Sequence, residues 1–189
     1  MAQFKHIAII GVGLIGGSFA LALRAAGFEG HITGWDSGEN LAQALATSVI
    51  DAPEESFAQG KICQADLIYL AAPIGAIIEF LARHRNQIKA SALVSDSGST
   101  KRAICEMAMG LPPEVDFIGG HPMAGSEQGG VAAARADLFV GATYILGPSP
   151  TIAEMRVLQF ELLLRELGAQ PVRLTASEHD EVMAMISHL

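Results

Sequence analysis

The chain has 189 residues, half of them hydrophobic, and sets 12 Lys and Arg against 20 Asp and Glu for a net charge of −8. That length can bury a sizeable core and suits one domain, or one domain plus a piece of another. An acidic chain without a basic stripe repels phosphates, which argues against nucleic acid as a partner. The two cysteines, Cys63 and Cys105, stand far apart with no CxxC, so neither a disulfide framework nor a metal site is indicated, and a reducing cytoplasm is expected.

The first element is a β-branched run, His6 to Ile10, followed by Gly11-Val12-Gly13-Leu14-Ile15-Gly16 and then a helical pattern from Leu14 to Ala26. The first glycine of such a turn allows the tight bend, the second lets backbone approach a pyrophosphate, and the third lets helix and strand pack closely. A pyrophosphate would sit on the helix N-terminus, over the backbone of Leu14 and Ile15. A second short run, His31 to Trp35, delivers Asp36 at the spacing where a dinucleotide-binding unit presents a carboxylate to the adenosine ribose. A carboxylate there repels a 2′-phosphate, so NAD is expected over NADP. The stretch Ile7 to Leu23 carries no charge and superficially imitates a signal peptide or membrane span. Its four glycines argue against that, each costing a helix about 1 kcal/mol relative to alanine. No membrane association is expected.

Further along, short apolar runs alternate with helical patterns, the rhythm of βαβ units. Strands are expected at Asp66 to Ala71, Ala92 to Ser95, Asp116 to Ile118, Tyr144 to Leu146 and Val172 to Leu174. Helices are expected to begin near Glu39, Ile74, Thr100 and Ile152, with Ser99 and Thr151 as N-caps, and near Ser177 with that serine as its cap. The fold class is therefore α/β, a doubly wound, mostly parallel sheet of Rossmann type. Residues 1–175 form the nucleotide-binding domain and 176–189 the first turns of a helix leading into a second domain. Val182, Met183, Met185, Ile186 and Leu189 are too apolar for a free tail, so a further domain or partner subunit is expected to cover them, or else they pack on the same sheet.

Ligands in open parallel sheets bind in the crevice beyond the carboxyl ends of the strands. Three such ends carry chemistry. Ala71-Ala72-Pro73 leaves space for the cofactor's ribose or nicotinamide. Asp96-Ser97-Gly98-Ser99-Thr100-Lys101 adds a hydroxyl, Ser99, to the crevice. The segment Gly119 to Gln128 holds His121 on a loop fixed by three glycines and a proline, where an imidazole can act as acid or base toward an alcohol losing hydride. His6, His31 and His84 lie in strands or helices and read as structural or surface residues.

Taken together, GVGLIGGSFALALR, DSGSTK, IGGHPMAGSEQGG, LFVGATYIL and SEHDEVMAMISHL resemble the prephenate and arogenate dehydrogenases of tyrosine biosynthesis across essentially the whole chain. The resemblance implies oxidative decarboxylation with NAD, His121 as catalytic base and Ser99 beside it and the substrate hydroxyl. It also implies Ser126 and Glu127 on a substrate-side loop, a helical dimerisation domain and a homodimer. Family members continue SHL into Pro-His and later supply an arginine that holds the substrate carboxylate. Neither is in this chain, which therefore reads as an incomplete fragment. His188 is taken as a substrate-side residue acting at one remove, because on a helix at about 100° per residue it points nearly opposite to His179. Two other classes stay open. The β-hydroxyacid dehydrogenases share the glycine turn but lack GGHPMAGSE, and a noncatalytic module sensing NAD or NADH needs only the nucleotide fold.

Overall fold

The computed structural model describes residues 4–54 and 61–187; His188 and Leu189 lie outside the described residues. In chain order the elements are β1 (His6–Ile10), α1 (Leu14–Ala25), β2 (His31–Trp35), α2 (Gly38–Ala46), β3 (Ala52–Pro53), β4 (Leu67–Leu70) and α3 (Ile74–His84). They continue with β5 (Leu93–Asp96), α4 (Arg102–Ala108), β6 (Asp116–Pro122), β7 (Thr143–Pro148), α5 (Glu154–Glu166), β8 (Gln170–Arg173) and α6 (Ala176–Ser187). Among the described residues the strands form one sheet of eight in the order β3-β2-β1-β4-β5-β6-β7-β8.

Strand alternation builds two cores. Ile7 and Ile9 of β1 point into the layer that holds Phe19 and Leu23 of α1 and Phe160 of α5. Ala8 and Ile10 point the other way, toward Ile77 and Phe80 of α3 and Ile104 of α4. Both faces of the sheet are thus covered, which is why its central strands read as continuous apolar runs. Strand order reverses between β1 and β4, so a crevice opens where the glycine turn leaves β1 and Ala71 leaves β4.

Several expectations are corrected. Strand β6 does not stop at Ile118 but runs to Pro122, because β7 pairs with it in antiparallel register, His121 opposite Ile145. His121 is therefore a strand residue, rigid through the ladder rather than through a loop. The two-residue β3 beside β2 was not expected, and β8 is parallel to β7, so the last two strands run against the rest.

The expected caps are also displaced. Helix α4 begins at Arg102, past Ser99, and the N–H groups of Lys101 and Arg102 are taken instead by the Asp180 carboxylate. Helix α5 begins at Glu154, and the Thr151 hydroxyl bonds Ser149. Ser177 lies inside α6, whose start is held by Thr175 and Glu178. The Thr175 hydroxyl accepts from the Glu178 N–H, and the Glu178 carboxylate accepts from the Thr175 N–H. This is a reciprocal capping box of the T-x-x-E kind.

Helix α6 packs against α4 and β7. Its outer side leaves Val182, Met185 and Ile186 exposed, so these residues do not pack on the sheet.

Candidate active site

The glycine turn explains itself sterically. Gly11 has φ +93°, and a Cβ there would lie 2.7 Å from the backbone of Ala71 and Ala72. A side chain at Gly16 would lie 2.0 Å from the Gly11 carbonyl oxygen, inside the strand-to-helix contact. At Gly13 nothing lies within 4 Å of the same added atom, so its backbone faces open space. Helix α1 starts immediately beyond, with no side-chain cap and no acidic residue in its first turn, so the amides of Leu14 and Ile15 meet no competing side-chain acceptor. Asp36, at the end of β2, braces the turn by accepting from Val12 N at 2.7 Å. Its other oxygen takes Ser37 N and Asn40 Nδ2.

The carboxyl ends of β5 and β6 lie side by side. Asp96 closes β5 with a fully buried carboxylate that accepts from the N–H of Gly98 and of Gly120, and forms a buried ion pair with Lys101. Burial pushes the Asp96 carboxyl above its ordinary value, opposed by Lys101 and the two N–H groups. A Cβ at Gly120 would lie 2.3 Å from the Asp96 carbonyl oxygen, so the glycine is what lets β6 approach this loop. Ser99 sits exposed on the same loop and makes no hydrogen bond to another described residue.

His121 is half-buried near the end of β6. Its Nδ1 shares a hydrogen bond of 2.8 Å with Nε2 of His179, a fully buried ring on α6. The Nδ1 of His179 in turn lies 2.7 Å from Asp180. Burial pushes the pKa of His121 down to about 4, helped by His179 and Lys101 and opposed by Asp180. Burial alone would raise the Asp180 carboxyl. The Arg102 N–H, the His179 ring and the Lys101 N–H outweigh it and hold the group below the usual carboxylate range.

Residues 19–173 match the family described as prephenate dehydrogenase, nucleotide-binding domain. The chain belongs to the prephenate dehydrogenase family. It is 39% identical over 192 residues to the prephenate dehydrogenase of Bacillus subtilis, an alignment covering 100% of this chain and 52% of that protein. The prephenate dehydrogenase of Aquifex aeolicus, solved in complex with hydroxyphenyl propionate and NAD+, superimposes with a TM-score of 0.89 at 30% identity. That match covers 97% of this chain and 64% of the other. Synechocystis arogenate dehydrogenase superimposes with a TM-score of 0.88 at 32% identity, covering 97% of this chain and 64% of that one. The chain spans about half the length of the curated relatives it matches.

Within this prephenate dehydrogenase domain, the expected residues fall into two groups. Gly11, Gly13, Leu14, Ile15, Gly16 and Asp36 gather at the ends of β1 and β2, with Ala71, Ala72 and Pro73 beside them beyond β4. Ser99 and His121 lie at the same edge, on the loop after β5 and on β6. Ser126 and Glu127 are exposed on the loop after β6, where the Ser126 hydroxyl accepts from Gln128 N, and no hydrogen bond ties them to His121. His188 is outside the described residues. Sequence reasoning used His179 and Asp180 only as part of a motif and of a helical face and gave them no role in the site, and it treated Lys101 and Asp96 only as neighbours of Ser99. Among the described residues no group of three or more His, Cys, Asp or Glu is placed to hold a metal ion, and no helix is long and apolar enough to cross a membrane.

Proposed function

We propose that this chain carries the NAD-binding site and the catalytic base of a dehydrogenase that oxidatively decarboxylates prephenate or arogenate. One observation carries the reading. A half-buried imidazole, His121, stands at the carboxyl edge of the sheet that also bears an uncapped glycine turn and a ribose-side carboxylate. The fit to NAD rests on three features: the open face of Gly13, the free first-turn amides of Leu14 and Ile15, and the remaining lone pair on Asp36 Oδ2, which can accept from a ribose hydroxyl.

NAD held at the glycine turn by Leu14, Ile15 and Asp36 would supply the hydride acceptor for the ring carbon that bears the 4-hydroxyl. His121 receives the hydroxyl proton. Its lowered pKa keeps it neutral at physiological pH, free to accept a proton though a weaker base than an ordinary imidazole; general base catalysis contributes about 10²–10⁴-fold. Ser99, with an uncommitted hydroxyl one strand away, orients the substrate hydroxyl toward that base. Ser126 and Glu127 contribute polar contacts from the loop that follows β6, and His188 acts at one remove. Loss of carbon dioxide from the opposite ring carbon makes the ring aromatic, which drives the step forward.

Residues 1–175 are read as the nucleotide-binding domain and 176–189 as the start of the helix leading into a second domain. The complete protein is read as a cytoplasmic homodimer: two cysteines far apart in sequence with no CxxC fit a reducing compartment, and the exposed apolar side of α6 fits burial against further protein. His121→Asn in the complete protein tests the central claim. Turnover of prephenate and of arogenate is expected to fall at least about 100-fold while the dissociation constant for NAD stays within about threefold. Undiminished turnover refutes the assignment, and an absence of turnover on either substrate in the unaltered protein favours a noncatalytic NAD sensor.

A further inference from the structure

We infer that His179 and Asp180 are positioning residues for the proposed reaction, holding His121 through Nδ1 in the tautomer that leaves Nε2 bare. This rests on the reading of His121 as the base. Asp180 is an acceptor only, so the His179 Nδ1 lying 2.7 Å from it carries a hydrogen. A neutral imidazole has one N–H, which makes the opposite nitrogen of His179, Nε2, an acceptor. That atom is 2.8 Å from His121 Nδ1, which therefore carries the hydrogen. The lone pair of His121 then sits on Nε2, for which no described residue provides a partner. With a neutral His179 the reverse polarity would set a nitrogen lone pair against a carboxylate oxygen. A doubly protonated His179 would instead donate to His121 Nδ1, and the ring nitrogen signals distinguish the two states.

The two supporting groups have little freedom to do otherwise. His179 is fully buried, its ring at 63° to that of His121 with centroids 5.0 Å apart. Asp180 is anchored independently, because its two oxygens also accept the N–H groups of Lys101 at 2.7 Å and Arg102 at 3.0 Å. One carboxylate thus ties α6 to the start of α4 and, through His179, to β6. When a proton reaches Nε2, the resulting imidazolium keeps its Nδ1–H bond to His179 and gains the favourable charge of Asp180 behind it. The same arrangement therefore orients the ring before the proton arrives and accommodates it afterwards.

The test uses the complete protein with 15N-labelled histidine. In the unaltered protein the ring nitrogen signals of His121 are expected to report hydrogen on Nδ1 and none on Nε2. Asp180→Asn removes the charge, and where its Nδ2 takes the Oδ1 position, giving up the Lys101 N–H bond, it presents an N–H to His179 and reverses both tautomers. Its kcat is expected to fall on the order of 10²–10⁴-fold, with the NAD dissociation constant within about threefold and the His121 hydrogen moved to Nε2. His179→Ala, which removes the link and leaves Asp180 bonded to the amides at the start of α4, is expected to lower kcat at least about tenfold. A protonated Nε2 in the unaltered protein overturns the inference regardless of how the variants fold. So does kcat within threefold of normal in Asp180→Asn with the His121 hydrogen moved to Nε2, when His121→Asn is inactive. Full activity in His121→Asn overturns this inference together with the reading beneath it.

Discussion

Replacing Lys101 by methionine isolates the buried carboxylate beneath the candidate site. Lys101 and Asp96 are both fully inaccessible, and removing one partner of such a pair typically costs 3–5 kcal/mol because the remaining charge is left uncompensated. Asp96 would keep two donors, Gly98 N at 2.8 Å and Gly120 N at 3.0 Å, which places the expected loss at the lower end, about 3 kcal/mol at pH 8. The sign with pH follows from the direction of the shift. Burial already raises the Asp96 carboxyl in the folded protein, and loss of Lys101 raises it further, whereas the unfolded chain titrates near 3.9. A raised folded pKa favours the folded state at low pH and loses that contribution as pH rises through it. The deficit of the variant against the unaltered protein should therefore be larger at pH 8 than at pH 5. Urea unfolding at the two pH values measures it by linear extrapolation. Adding Asp96→Asn should recover more than half of the loss. A deficit below about 1 kcal/mol at pH 8, or one equal at both pH values, refutes the account of a desolvated charge held by its partner.

Gly13→Ala and Gly16→Ala should separate ligand space from packing space. The first meets no protein atom, so stability should hold or rise by up to about 1 kcal/mol while NAD affinity, read by calorimetry, drops at least about tenfold. The second drives a methyl into the Gly11 carbonyl and should cost about 1–3 kcal/mol in urea unfolding as well as NAD affinity. Thr175→Ala removes half of the capping box and should destabilise α6 by about 1 kcal/mol, seen as faster hydrogen exchange at the Glu178 amide. Burial pushes the Cys105 thiol up to about 11 from an ordinary 9.0, so its alkylation at pH 8 should be about a hundredfold slower than that of a free thiol.

The elements with strong local signals were legible before any coordinates. The β-branched run, the glycine turn and the start of α1 fall where spacing and sterics put them, and Asp36 ends β2 as expected. What escaped depends on contacts distant in sequence. The direction of β7 leaves no trace in its apolar pattern, so neither the extension of β6 to Pro122 nor the strand setting of His121 could be read from it. Asp180 displaces Ser99 from the cap of α4 through a bond to Lys101, 79 positions away in the chain, a contact that no local rule supplies. His179 faces inward only because α6 packs against α4 and β7, and helical phase alone did not reveal which side would be buried. The capping box was different, since Thr175 and Glu178 carry a readable local pattern that Ser177 obscured. Lys101 also left a clue, a cation closing a strand-end loop that opens on the carboxylate of Asp96.

The bond from Val12 N to Asp36 has a practical consequence for anyone redesigning this chain to use a phosphorylated dinucleotide. Exchanging Asp36 for a small neutral residue removes the repulsion, yet it also unfastens the bend between β1 and α1 and strands a backbone donor. A successful exchange has to bring in a second substitution that offers Val12 a new acceptor. Single replacements at that position should trade selectivity for a slack turn.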